Sequence, residues 1–166
     1  ARTVCALRLI AAPRPLARRG TNMNDLVQRA KDLAHRAHAG QVDKAGRPYI
    51  EHVARVAAAC ADDPEAEAVA WLHDVLEDCD GFDGEIARFP ALIFNACCRL
   101  DRGCLSADDY YRHVLTLPLA LRVKLADIAD NADESRLALL DGKTAARLRR
   151  KYAKAIAALT GAAGGK

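Results

Sequence analysis

Apolar residues recur at helical spacing along most of this chain. Leu26, Ala30, Leu33, Ala34 and Ala37 form one stripe and predict a first helix over residues 24–39. Asn24 or Asp25 can cap it and Gly40 can end it. The polar run 41–48, punctuated by Gly46 and Pro48, reads as a loop. Ile50, Val53, Val56 and Ala57 give a second helix over 49–60. Pro64 suits the first turn of a third, which runs to Asp80-Gly81. Residues 82–102 read as two short helices broken at Pro90. Ser106, with Asp109 three residues on, caps the next, and Pro118 ends the connection after it. A further buried helix begins at about 119. A last amphipathic one spans 144–159, with Arg147, Arg149, Arg150, Lys151 and Lys154 on a face expected to be solvated. No alternating strand pattern is present, so the expected fold class is all-α.

The third predicted helix is where the chemistry concentrates. Trp71-Leu72-His73-Asp74-Val75-Leu76-Glu77-Asp78 places four proton-handling or metal-binding groups among apolar residues. On a continuous helix His73 and Glu77 share a face, and so do Asp74 and Asp78. A segment this apolar is buried, and buried His, Asp and Glu are costly unless paired or bound to metal. Two other helices carry comparable groups. His52 lies at the edge of an apolar face, where taken alone it reads as a core histidine. Asp127 lies between Leu125-Ala126 and Ile128, four residues from Asn131. His52, His73, Asp74 and Asp127 together suit a borderline divalent ion. His35 and His38, three apart, read instead as one surface and one packing or supporting histidine. Lys44 and Arg47 either hold phosphate or belong to a solvated loop.

Charge and composition narrow the field. The formal +3 includes five arginines within residues 1–22, which hold no acid, so the rest carries −2. That leaves no basic stripe for nucleic acid. No apolar run approaches the roughly 20 residues needed to span a bilayer. Six cysteines without a Cys-x-x-Cys pair exclude zinc-ribbon and thioredoxin-like readings. Buried thiols in a reducing, cytoplasmic compartment are expected. Residues 1–22 read either as a transit-like segment or, preferably, as sequence upstream of a start at Met23. The expected organisation is 1–22 as an extension, 23–160 as one domain and 161–166 as a flexible tail.

The order His52, His73-Asp74, Asp127 resembles the HD superfamily of metal-dependent phosphohydrolases. The runs Ala37-His38-Ala39-Gly40-Gln41, Lys44-Ala45-Gly46-Arg47-Pro48-Tyr49-Ile50-Glu51-His52, Leu72 to Asp78 and Val123 to Asn131 resemble the hydrolase domain of RelA/SpoT enzymes and the stand-alone small alarmone hydrolases. The resemblance covers roughly residues 24–159. It implies a compact multi-helix HD bundle and removal of the 3′-pyrophosphate of (p)ppGpp with Mn²⁺. It implies His52, His73, Asp74 and Asp127 as ligands of one divalent ion, and Glu77 and Asp78 as the pair that handles the attacking water. Asn131 matches an asparagine near the nucleotide, and Lys44 the second member of a basic pair. Arg47 and Lys124 offer further charge for the distal phosphates. Asp43 stands where that basic pair begins with arginine. The expected partner is a small-molecule nucleotide, with no nucleic acid and no membrane, and a homodimer is allowed. Two readings stand beside this one: an HD nucleotidase or phosphatase acting on another nucleotide, and a metal-bound regulatory module without turnover.

Overall fold

A computed structural model describes residues 22–161. Residues 1–21 and 162–166, where the sequence suggests an extension and a flexible end, lie outside the described residues. Helix α1 (Met23–Ala37) starts one step earlier than its stripe implies. The Asn22 side chain accepts a bond from the Asn24 amide at 3.1 Å and is the cap, in place of Asn24 or Asp25. Leu26, Ala30, Leu33 and Ala34 are buried, as the spacing predicts. The His38 amide closes the last turn onto the Ala34 carbonyl. Gly40 then turns the chain with φ +77°, a conformation that glycine adopts at no steric cost.

Helix α2 (Tyr49–Ala58) follows the loop, and α3 (Pro64–Leu72) lies at the centre. The Asp63 carboxylate caps α3 through the Glu65 and Ala66 amides. Ala66, Ala68, Val69, Ala70, Trp71 and Leu72 are all buried, because α1, α2, α6 and α8 pack around this helix. A helix that is apolar all round has to be enclosed, and its alanines let the neighbours approach.

The expected continuous helix through the acidic cluster is not what forms. α3 ends at Leu72, His73 and Asp74 make a turn, and a separate one-turn α4 (Val75–Asp78) follows. His73 Nδ1 bonds the Ala70 carbonyl at 2.7 Å, and Asp74 takes φ −104°, ψ −2°, off the helical ladder. A side chain that captures a nearby carbonyl offers the backbone an alternative to the helix. The break points the two functional side chains inward and α4 outward, so Glu77 and Asp78 sit at the surface.

The rest follows the sequence closely. α5 (Asp83–Ile86) and α6 (Ala91–Leu100) are separated at Pro90. Ser106 caps α7 (Ala107–Leu115), accepting the Asp109 amide at 3.1 Å while its hydroxyl donates to the Asp109 carboxylate at 2.6 Å. Pro118 opens α8 (Pro118–Asn131) at its first turn. The short α9 (Glu134–Leu137) has too few residues for a periodic signal. α10 (Gly142–Gly161) packs on α7 and α8 through Ala145, Leu148, Tyr152, Ala155 and Leu159. Among the described residues there is no strand; an isolated bridge joins Val42 to Pro48. No described helix is long and apolar enough to cross a membrane. Cys60 and Cys97 are buried free thiols.

Leu33, 2% exposed, belongs to the core built around α3. Leu33→Ala should cost about 2–5 kcal/mol, read as a lower urea midpoint with an unchanged m-value. A midpoint within error of the parent would contradict this packing.

Candidate metal centre and its cleft

Four of the residues singled out in the sequence converge where α2, the α3–α4 turn and α8 meet. His52, His73 and Asp127 are buried at 1%, 1% and 5% exposure, and Asp74 is nearly so. His73 Nε2 lies 2.9 Å from Asp74 Oδ2 and 3.8 Å from Asp127 Oδ1. His52 Nε2 lies 3.3 Å from Asp127 Oδ1 and 3.8 Å from Asp74 Oδ2. The two imidazoles meet edge to face with centroids 5.4 Å apart.

Tautomers follow from the outer nitrogens. His73 Nδ1 faces the Ala70 carbonyl at 2.7 Å, which can only accept, so Nδ1 carries the proton. His52 Nδ1 lies 2.6 Å from Asp130 Oδ2 and donates to it in the same way. Both Nε2 atoms are therefore turned inward, and both are buried with no hydrogen-bond partner. Ligand atoms of His52, His73 and Asp74 lie within 4.8 Å of one another, a group that could hold a metal ion. A pair of nitrogen donors with carboxylate oxygen fits a borderline divalent cation.

The surrounding electrostatics agree. Burial opposes a charged His73, but Asp74 and Asp127 overcome it and push the imidazole up to about 10. Burial likewise works against the Asp74 anion, yet His73 holds its carboxyl down at about 2. Asp127 is kept well below the usual carboxylate range, against burial, by Lys124 and the two histidines. The pocket holds positive charge firmly wherever it is offered.

Each of these groups is in turn held by another. Tyr49 donates its hydroxyl to Asp74 Oδ2 at 2.5 Å. Lys124 Nζ reaches Asp127 Oδ2 at 2.7 Å, and the Asn131 amide donates to Asp127 Oδ1 at 2.6 Å. Lys124 and Asn131, expected near a substrate, thus also position Asp127. Asp130 receives Arg55 Nε at 2.6 Å as well as the Arg136 guanidinium. Carboxylates that orient histidines in this way fix both the tautomer and the ring. His38 is buried as the supporting histidine, its ring tilted against Tyr49 with centroids 5.1 Å apart and bonded through Nδ1 to Gln41 Oε1 at 2.8 Å; His35 is exposed.

The group lies on the floor of a cleft of about 390 Å³. That is within the range of small-molecule sites. Lys44, Arg47, Glu77, Asp78, Lys124 and Asn131 all line it. Loss of water contact raises the Glu77 carboxyl above its ordinary range, opposed by the Arg102 amide and reinforced by Asp74.

The sequence reading missed several members of the wall. Lys151 is exposed, as expected of its face, and also lines the cleft; partial burial and then the nearby Lys124 and Lys44 lower its pKa. Tyr49, Arg102, Tyr110 and Arg136 line it too. Asp130 was visible as the second acid of Asp127-Ile128-Ala129-Asp130-Asn131. Arg136 carried no signal, since only tertiary contacts bring it to the site.

No family model matches the chain. Individual proteins do. The guanosine-3′,5′-bis(diphosphate) 3′-pyrophosphohydrolase of Vibrio cholerae is 33% identical over 117 residues, covering 63% of this chain and 17% of that protein. The protein of the same name from Aquifex aeolicus is 33% identical over 118 residues, with the same shares. A probable GTP pyrophosphokinase of Mycobacterium leprae is 30% identical over 148 residues, covering 81% of this chain and 19% of that protein. This chain spans less than a fifth of the length of these curated relatives. Over that span the chain is similar to proteins named as 3′-pyrophosphohydrolases and GTP pyrophosphokinases, and its helical core and His-Asp centre are consistent with an HD domain.

Proposed function

We propose that residues 23–160 form an HD-type hydrolase domain that uses a divalent ion, Mn²⁺ by preference, to remove the 3′-pyrophosphate of (p)ppGpp or a closely related nucleotide. The observation that carries this reading is the pair of buried, unpartnered Nε2 atoms of His52 and His73. Both lie within 4 Å of oxygens of Asp74 and Asp127, beneath a cleft whose lining includes Lys44, Arg47, Lys124 and Lys151. The similarity to named 3′-pyrophosphohydrolases supports the choice of reaction.

In this reading His52, His73, Asp74 and Asp127 hold the ion. Once bound, it lowers the pKa of water and neutralises charge on the reacting phosphate. The other roles belong to the chain's own side chains. Asp130 and the Ala70 carbonyl keep the imidazole protons on Nδ1 and the lone pairs inward. Tyr49 fixes one oxygen of Asp74, and Lys124 with Asn131 fixes Asp127. Glu77, with its raised pKa and its place on the cleft wall, accepts the proton of the attacking water. Asp78, on the same turn, shares that task or protonates the leaving oxygen. Lys44, Arg47 and Lys151 face the substrate phosphates from the loop and from α10. One observation favours a second nucleotide class. Asp43, in place of the arginine that begins the family's basic pair, is engaged with Arg136 in the cleft wall, which changes how a base would be held there.

The direct assay measures phosphate and pyrophosphate release from a nucleotide panel with Mn²⁺, including ppGpp, ppApp and simple mononucleotides. Pyrophosphate from a 3′-diphosphorylated nucleotide is expected. Orthophosphate from mononucleotides alone would move the protein to a nucleotidase, and metal binding without turnover would leave a regulatory module. Asp74→Ala should lose both metal and activity, and full turnover by it would refute the site. Glu77→Gln should retain metal but lose about 100-fold in kcat or more; an unchanged kcat would remove Glu77 from the chemistry. Asp130→Asn should weaken Mn²⁺ binding about 10–100-fold in calorimetry. Parental affinity would mean that His52 needs no carboxylate to orient it.

A further inference from the structure

The loop 41–48 and the histidine centre are joined by a chain of charged contacts through Asp43, Arg136 and Asp130. Asp43 Oδ1 accepts the Ala45 amide at 2.8 Å and the Arg47 amide at 3.0 Å, so this carboxylate shapes the loop that presents Lys44 and Arg47. Its other oxygen lies 3.2 Å from Arg136 Nη2. The Nη1 end of the same guanidinium reaches Asp130 Oδ2, the atom that receives His52 Nδ1 at 2.6 Å. Asp43 and Arg136 are 93 residues apart, and their ion pair joins this loop to α9. Both side chains are largely enclosed, at 12% and 19% exposure. A planar fork with separate donors at each end can hold two carboxylates at once in fixed directions, whereas a lysine offers a compact charge on a flexible stem.

We infer that Arg136 is a positioning residue that ties the substrate loop to His52 through Asp43 and Asp130, so that loop order and metal affinity are coupled. The inference rests on the metal-hydrolase reading for its consequence but not for its geometry. Asp43 touches none of the four residues assigned to the ion. A change there should nevertheless reach them, because a loop released from Arg136 also releases one of the groups holding Asp130. By linkage, whatever orders the loop strengthens cation binding, and a bound cation orders the loop by the same factor. Asp43 then has a reason to be acidic in this chain: an arginine at that position would repel Arg136 and leave the loop untied.

The test is a double-mutant cycle read two ways. Calorimetry with Mn²⁺ compares the parent, Asp43→Asn, Arg136→Gln and the double variant. Asp43→Asn keeps an oxygen for the Ala45 and Arg47 amides but removes the charge facing Arg136. It should weaken Mn²⁺ binding by about 5-fold, and Arg136→Gln by about 10-fold. The double variant should be no weaker than Arg136→Gln alone. Arg136→Lys should fail to restore the parent's affinity. NMR of the metal-free proteins supplies the second readout. In Arg136→Gln the Ala45 and Arg47 amides should exchange at least several-fold faster, and in Asp43→Asn the ring resonances of His52 should shift. Multiplicative losses in the double variant would overturn the inference. So would unchanged Mn²⁺ affinity in Asp43→Asn, or loop exchange that changes while His52 does not. If the parent binds no Mn²⁺, the hydrolase reading falls, and the NMR comparison still decides the coupling: both signals moving upholds it, and either one staying fixed refutes it.

Discussion

Two imidazoles and two carboxylates, largely buried and with each histidine Nε2 within 4 Å of an oxygen of both acids, set the terms for the rest of the molecule. Buried acids repel each other and lose hydration, so such a group persists only with positive charge among its members. One proton on His73 meets part of that need, which is why its pKa is pushed up to about 10. A divalent cation meets it more fully and matches the donor set. The surrounding side chains serve this arrangement by fixing rotation. Tyr49, Lys124 and Asn131 hold the carboxylates, while Asp130 and a helix carbonyl hold the rings. A cluster supported on so many sides reorganises little when a cation or a phosphate arrives, and that preorganisation is what a metal-dependent hydrolase requires.

The fold supplies rigidity through α3. Nearly every side chain from Ala66 to Leu72 is enclosed by neighbouring helices, so the point at which it ends is fixed in space. His73 and Asp74 leave the helix at that point. The break carries α4 to the cleft wall, where Glu77 can face water while the ligand candidates stay dry. A continuous helix would have stacked Glu77 directly on His73 and placed acid and ligand in the same buried row.

What the sequence disclosed and withheld divides along physical lines. His73, Asp74 and Asp127 were legible because each is a costly group set among apolar residues, whereas His52, which alone reads as a core histidine, stood out only as a member of that set. Local punctuation was legible as well: Ser106 as a cap, Pro90 as a break, Pro64 as a first-turn residue. The break at His73 was not, because it comes from a ring capturing a backbone carbonyl, a contact that hydrophobic periodicity does not encode. Arg136 sits on a helix of four residues, too short to show a period, and reaches Asp43 only through the tertiary fold. Lys151 is exposed, as its place on the polar face of an amphipathic helix implies, but only the packing of α10 against α7 and α8 shows that it also borders the cleft.

The claim on which everything else depends is that the histidine-aspartate group binds one divalent cation. Metal analysis after equilibrium dialysis against Mn²⁺ tests it directly, comparing the parent with a His52→Gln, His73→Gln variant shown by circular dichroism to stay helical. The account predicts one ion per chain for the parent and none for the variant. Equal metal content in the two folded proteins, or no stoichiometric ion in the parent, would contradict it.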